Sequence, residues 1–218
     1  MTRIVAGTVG GRTIQVPARG TRPTSDRVRE AIFSRLEHLG VVDGARVLDL
    51  FAGSGALGLE AASRGAASVT LVDSARVAVD VARRNVATLA LPDVRVVAQS
   101  AETFAAAAAG AAGGGDLRGA DGDRPYHLVF LDPPYDLGAQ ALERVLDRLA
   151  VPGVLDPTAV VVVERSARTP EPAWPAGWEV LASKAYGETA VWFAGPAVDD
   201  ADEDDEAAGS GVEGGARA

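Results

Sequence analysis

Val47-Leu48-Asp49-Leu50-Phe51-Ala52-Gly53-Ser54-Gly55-Ala56-Leu57-Gly58 is the stretch whose reading decides the fold. The apolar run from Arg46 to Leu50 predicts a strand buried on both faces. It feeds a glycine turn. The turn feeds a helix over roughly Ala56 to Arg64, ended by Gly65 at the C′ position. A strand, a tight glycine turn and a helix in succession predict an open α/β sheet, whose ligands bind outside the carboxyl ends of its strands. Gly53 and Gly55 let backbone approach a ligand and permit positive φ. The helix amino terminus behind them offers unpaired N–H groups.

The turn matches the G-x-G-x-x-G pattern of dinucleotide folds. In a nicotinamide enzyme that turn receives an anionic pyrophosphate. A carboxylate at Asp49, placed by the pattern at the strand's end, would repel it. The same carboxylate suits an ammonium or a sulfonium, so charge complementarity favours S-adenosylmethionine over NAD. The next strand, Ser68 to Val72, ends in Asp73. An acidic residue there can accept both hydroxyls of a ribose. It can equally cap the helix that follows, over Ala75 to Leu89.

A third element lies about eighty residues downstream, counting along the chain. The apolar run Tyr126 to Leu131 predicts another buried strand, and Asp132-Pro133-Pro134-Tyr135 stands at its carboxyl end. The prolines bring carbonyl acceptors and no competing N–H. Asp132 adds two acceptor oxygens and Tyr135 a flat face for stacking. Together they suit a planar amine. In isolation Asp-Pro-Pro is also ordinary turn chemistry.

These blocks resemble an S-adenosylmethionine-dependent amino-methyltransferase. The amino end narrows the resemblance: Arg3-Ile4-Val5-Ala6-Gly7, Gly10-Gly11-Arg12, and Arg22-Pro23-Thr24-Ser25-Asp26-Arg27-Val28-Arg29-Glu30-Ala31-Ile32-Phe33. With the Phe51-Ala52-Gly53-Ser54-Gly55 turn, they make the chain, from about Arg3 to about Phe193, similar to the bacterial 16S ribosomal RNA guanine-N2 methyltransferase family, the RsmD type. The resemblance implies a Rossmann-like, seven-stranded methyltransferase fold with a short basic amino-terminal extension. It implies S-adenosyl-L-methionine held by Asp49, Phe51, Ala52, Gly53, Gly55, Asp73, Ser100 and Ala101. It implies chemistry at Asp132, Pro133, Pro134 and Tyr135. The expected substrate is 16S ribosomal RNA, within the small subunit or an assembly intermediate. Arg3, Arg12, Arg22, Arg27 and Arg29 are expected to contact it.

Composition bounds the alternatives. A 218-residue chain is expected to form one α/β domain with small additions. Absence of cysteine excludes disulfides, thiolate nucleophiles and cysteine–zinc sites. The two histidines, His38 and His127, lie far apart and are read as structural, so no metal is expected. No long apolar run or signal core stands out, so a cytoplasmic protein without membrane contact is expected, and a monomer. The net charge of −9 looks wrong for an RNA enzyme, but residues 197–218 carry −7 of it and leave −2 for the body. That tail is expected to be disordered. Residues 1–40 carry seven arginines and a local charge of +4, which suits a phosphate-facing arm. A solvated amphipathic helix with Val28, Ala31, Ile32 and Leu36 inward would show a similar pattern.

The expected organisation is therefore an RNA-contacting arm and helix over 1–40, a catalytic domain over 41–196 and an acidic tail over 197–218. Further strands are expected at Val94 to Ala98 and Ala159 to Glu164, and a helix at Gly138 to Ala150. A final hairpin is expected from Trp178 to Ser183 and Thr189 to Phe193. Residues 105–124 read as a surface loop or frayed helix. Three other functions fit parts of the pattern. A DNA amino-methyltransferase would share the cofactor features but usually needs a target-recognition region for which little length remains. A nicotinamide oxidoreductase would share the glycine turn. A non-catalytic RNA-binding assembly factor would not need Asp132 to Tyr135.

Overall fold

The computed structural model describes residues 2–17, 25–112 and 125–198. Arg22 and most of the acidic tail, both named above, lie outside these residues. The chain runs β1 (Thr2–Arg3), β2 (Thr13–Ile14), α1 (Asp26–His38), β3 (Arg46–Leu50), α2 (Ala56–Ser63), β4 (Ser68–Asp73) and α3 (Arg76–Leu89). It continues with β5 (Val94–Ala98), α4 (Ala101–Ala112), β6 (Tyr126–Leu131), α5 (Ala139–Leu149), β7 (Leu155–Ser166), β8 (Trp178–Tyr186) and β9 (Thr189–Pro196).

Seven strands form one sheet in the order β5-β4-β3-β6-β7-β9-β8. The pairs from β5 to β7 are parallel, and β9 is antiparallel to both its neighbours. Successive strands β3, β4 and β5 build outward in one direction. The chain then returns to place β6 on the other side of β3. The order reverses between β3 and β6, and a crevice opens at such a switch point.

Both faces of the central parallel strands β3, β4 and β6 are buried, which is why their sequences read as continuous apolar runs. Val47, Leu128, Phe130 and Val162 face one layer, with Ile32, Phe33, Leu59 and Ala82 from α1, α2 and α3. Leu48, Leu50, Val129 and Leu131 face the other, with Ala105, Leu142, Val145 and Leu146 from α4 and α5. Period-two alternation along each strand divides the side chains between the layers.

Two expectations change here. The segment read as a loop or frayed helix from residue 105 is helical as far as Ala112, in α4, and Ala105 and Ala109 pack into the core. Alanine is the best helix former, but its small side chain leaves too weak an apolar stripe to read from sequence. Strand β7 begins at Leu155, before the expected Ala159, despite Pro157. Its pairing with β6 shifts register between Tyr126 and Leu128, and this irregularity accommodates a residue that cannot donate to a ladder.

The amino-terminal segment is built into the body. β1 and β2 pair as a short antiparallel ribbon. Ile4 and Ile14, at most 1% exposed, join the same buried cluster as Val47 and Leu59. Glu60, fully buried on α2, accepts the amide protons of Val5 at 2.7 Å and Ala6 at 3.0 Å. Ser63 holds the next turn: its carbonyl accepts from Thr8 N at 2.7 Å and its hydroxyl from Val9 N at 3.1 Å. Gly7 has φ +83°, and a Cβ there would lie 1.9 Å from the Ser63 carbonyl oxygen. Only glycine fits that approach. None of the described helices is long and apolar enough to cross a membrane.

Candidate active site

Register brings the sequence motifs together. Leu50 pairs with Val72 on one side and with Leu131 on the other. Phe51, Asp73 and Asp132 are the next residue of each strand's path, so they stand at one level at the carboxyl ends of three adjacent strands. Asp132 and Asp73 both act electrostatically on Asp49, so the three carboxyl groups share one field.

Asp49 itself does not stand free at a strand tip. It is 2% exposed, and its Oδ2 accepts the Gly58 amide proton at 2.9 Å. Burial, with the Asp132 and Asp73 charges adding to it, pushes its carboxyl up to about 8, against the opposing pull of the Gly58 bond. The negative charge expected to greet an ammonium at this position is therefore suppressed at neutral pH. A cation placed beside Asp49 would favour its ionisation.

A pH prediction follows from Asp49. Between its ordinary value of 3.8 and about 8, the native state holds a proton that the unfolded state releases. Its contribution to stability is complete below 3.8 and is lost as pH rises through about 8. Asp49→Asn, which keeps an acceptor for Gly58, should remove that part of the slope. Urea unfolding at pH 5 and pH 8 measures it; an identical slope in wild type and variant would refute the assignment.

Within the turn the glycines divide their work. A Cβ at Gly53 would meet nothing within 4 Å, so the turn is open above it. A Cβ at Gly55 would lie 2.7 Å from Leu71, and one at Gly58 2.3 Å from the same side chain. Gly55 and Gly58 thus let α2 pack closely on β4, and Gly53 is the glycine that faces open space. This is a different reason for Gly55 than close approach of a ligand. Phe51 adopts φ 66°, an uncommon conformation for a bulky residue. Its amide neighbour continues the sheet: Ala52 N donates to Val72 O at 2.9 Å. Strain of this kind gathers at functional sites, and nothing in the sequence announced it.

Asp73 forms a turn ahead of α3, whose N-cap is Ala75 without a side-chain bond, and braces the glycine turn. Its Oδ1 accepts from Ala75 N at 2.8 Å at the head of α3, and its Oδ2 accepts from Gly53 N at 2.8 Å. A carboxylate retains further lone pairs for a ribose. Ser100 is the N-cap of α4: its hydroxyl accepts from Thr103 N at 3.1 Å. Ala101 is 4% exposed and its side chain belongs to the core. Asn85, which sequence reading passed over, is 2% exposed and donates to Ser54 O and Gln15 O, each at 2.9 Å. It ties the glycine turn to the amino-terminal segment.

Beyond β6, Pro133 is buried, while Tyr135 is 64% exposed with its ring offered to solvent. Arg165 on β7 donates to Leu137 O at 3.0 Å, and Leu137 N donates to Pro134 O at 2.9 Å, so the loop is braced from the neighbouring strand. A shallow cleft beside the ring is lined by Tyr135, Ser166, Arg168 and Glu188.

The arginines expected to face RNA separate into distinct groups. Arg29 is a correction: it is fully buried, pairs with Asp26 at 2.8 Å and Glu60 at 3.4 Å, and donates to Arg3 O and Thr2 Oγ1. An arginine on the inward stripe of α1 looks, in sequence, like one on its outward face. Arg12 caps α3 by donating to Leu89 O and Thr88 O. Arg3 is exposed and near Asp26 at 3.6 Å, and Arg27 is exposed.

The family model described as conserved hypothetical protein 95 matches residues 2–195. The chain belongs to that family. It is 39% identical over 189 residues to the Escherichia coli ribosomal RNA small subunit methyltransferase D, covering 86% of each chain. The Haemophilus influenzae protein of the same name is 32% identical, over 85% of this chain and 89% of its own. Among solved structures, Escherichia coli yhhF superposes with a TM-score of 0.73 at 37% identity, over 89% of this chain and 97% of that one. A magnesium protoporphyrin IX methyltransferase from Synechocystis, solved with bound SAM, shares the fold alone: TM-score 0.57, 14% identity, 78% and 79% coverage. The relatives' names and the shared fold agree with the methyltransferase fold that the resemblance implied, and the nicotinamide alternative loses its support.

Proposed function

We propose that this protein transfers a methyl group from S-adenosylmethionine to the exocyclic N2 of a guanine in small-subunit ribosomal RNA. The observation that carries the reading is the shared level of Phe51, Asp73 and Asp132 at the switch point between β3 and β6. The names of the family's curated relatives supply the class of RNA.

The residues present fit such a donor. Gly53 leaves open space over the turn, Asp73 offers oxygens to a ribose, and the carboxyl cluster favours a cation. When bound, the cofactor supplies an electrophilic methyl on a positively charged sulfur. The protein's part is to present the nucleophile. Guanine N2 attacks poorly because its lone pair is delocalised into the ring. The base must leave its stack, at a cost of a few kcal/mol. Tyr135 would receive the extruded ring. Asp132 and the Pro133 carbonyl would accept hydrogen bonds from the amino group and hold its lone pair toward the turn; as N2 gains the methyl and the sulfur leaves as a neutral thioether, N2 would shed one proton to Asp132. The gain comes chiefly from holding two reactants in line. Exposed Arg3 and Arg27 would meet phosphate, with Arg22 in the same segment.

The deciding experiment incubates the protein with labelled S-adenosylmethionine and small subunits lacking the modification, beside duplex DNA, and maps the product by mass spectrometry. N2-methylguanosine in the RNA is expected. Labelled DNA, or subunit binding without transfer, would replace this reading with an alternative. Asp73→Ala should weaken cofactor affinity by roughly 10–100-fold through loss of charge-assisted bonds to the ribose and to Gly53. Unchanged affinity by calorimetry would contradict the ribose role.

A further inference from the structure

A guanine held by its N2 amino group turns its opposite edge outward. That edge carries O6 and N7, two acceptors side by side. Whatever meets it must donate. The cleft beside Tyr135 offers Ser166, Arg168 and Glu188, and of these only Arg168 presents a planar fork of donors.

Its position is set by the sheet. Val163 pairs with Leu131, and β7 runs parallel to β6, so Ser166 lies two residues past the level at which Asp132 departs. A tight turn follows. Thr169 N donates to Ser166 O at 2.9 Å, Arg168 N to Ser166 Oγ at 3.3 Å, and Ala167 N to Glu188 O at 2.8 Å. The backbone under Arg168 is therefore fixed to the β8–β9 turn. The side chain is not: it is 89% exposed and meets the Glu188 carboxylate only at 3.9 Å. A fixed base with an extended, loosely held guanidinium suits a group that closes on a ligand.

We propose that Arg168 is a specificity-determining residue whose guanidinium reads O6 and N7 of the purine stacked on Tyr135, so that guanine is accepted and a 6-amino purine refused. This rests on the guanine-N2 reading above. The discriminating base is 2,6-diaminopurine. It keeps the 2-amino group and N7 but replaces the O6 acceptor with an amino donor, which opposes the arginine. Both bases stack on Tyr135 and carry the 2-amino group, but N1 also changes, from donor in guanine to acceptor in 2,6-diaminopurine. The part of the preference that belongs to the edge Arg168 meets is therefore the part lost in Arg168→Ala.

The test uses reconstituted small-subunit particles whose RNA is ligated to carry either guanine or 2,6-diaminopurine at the methylated position. kcat/KM is measured for both with wild type, Arg168→Ala and Arg168→Lys. Wild type should prefer guanine strongly. In Arg168→Ala that preference should fall roughly 10- to 100-fold, with cofactor affinity and melting temperature unchanged because the side chain is at the surface. Arg168→Lys should also lose the preference, since an ammonium keeps the charge but not the fork. An unchanged ratio in Arg168→Ala overturns the proposal, including the case in which both substrates weaken equally and the residue is a phosphate contact. Failure of wild type to methylate the guanine particles would overturn the guanine-N2 reading and this proposal with it.

Discussion

Asp132→Ala is expected to lower kcat on unmodified subunits by about 100- to 1000-fold, the usual effect of removing a pre-positioned polar group at a reacting centre. Cofactor affinity should stay within about threefold, because the glycine turn and Asp73 remain. The split between the two follows from placement. Asp132 leaves β6 on the substrate side of the switch point, next to the loop that ends in exposed Tyr135. Its proposed contacts are to amino protons that must be held only as the methyl moves. An interaction made mainly in the transition state lowers kcat and kcat/KM together when it is lost. Asp132→Asn retains one acceptor oxygen and should fall between wild type and alanine. A second consequence is independent of turnover. The Asp132 charge helps to raise the Asp49 carboxyl, so its removal should move Asp49 down from about 8. Turnover at the wild-type rate, with the melting temperature intact, would take Asp132 out of the mechanism.

Glu60→Ala should destabilise the fold by about 3–5 kcal/mol, the typical cost of breaking a buried ion pair from one side. Glu60 has no exposure and sits among four donors. Val5 N and Ala6 N reach it from the amino-terminal segment, Arg64 Nε at 2.8 Å from its own helix, and Arg29 Nε at 3.4 Å from α1. Alanine would leave the fully buried Arg29 guanidinium short of its partner and two amides without an acceptor. For a domain of this size the melting temperature should drop on the order of 6–20 °C. Hydrogen exchange at Val5 and Ala6 should accelerate before the rest of the molecule, since their amides lose their only described acceptor. Glu60→Gln keeps the oxygen for one amide and should cost less. A melting temperature unchanged in Glu60→Ala would show that Ile4, Ile14 and the Ser63, Asn85 and Arg12 contacts hold the segment without Glu60.

Those two residues mark the limits of sequence reading. Asp132 was legible because its neighbours are unusual: an apolar run, two prolines and an aromatic ring leave few alternatives. Glu60 was not legible. An acidic residue between Leu59 and Ala61 reads as one exposed position of an amphipathic helix. Arg29 failed for the complementary reason. Its charge suggested phosphate, but α1 turns it inward, where Glu60 and Asp26 already wait. Asp49 was located correctly and its charge misjudged, because burial and two neighbouring carboxylates oppose ionisation. Ser100 and Ala101 carried no local signal beyond a polar residue before a helix. One is now seen as an N-cap and the other as core.

The linear chain alone determined the parallel sheet, the glycine turn and the three acidic strand ends. These depend on hydrophobic period and local turn chemistry, which act over a few residues. Tertiary structure alone decided which charges remain available. It set the reversal of strand order that puts β6 against β3, the burial that neutralises Asp49 and sequesters Arg29, and the close approach that makes Gly55 a packing residue. The physical reason is that the energy of a charge depends on the dielectric and the partners around it, and those are supplied by segments tens of residues away.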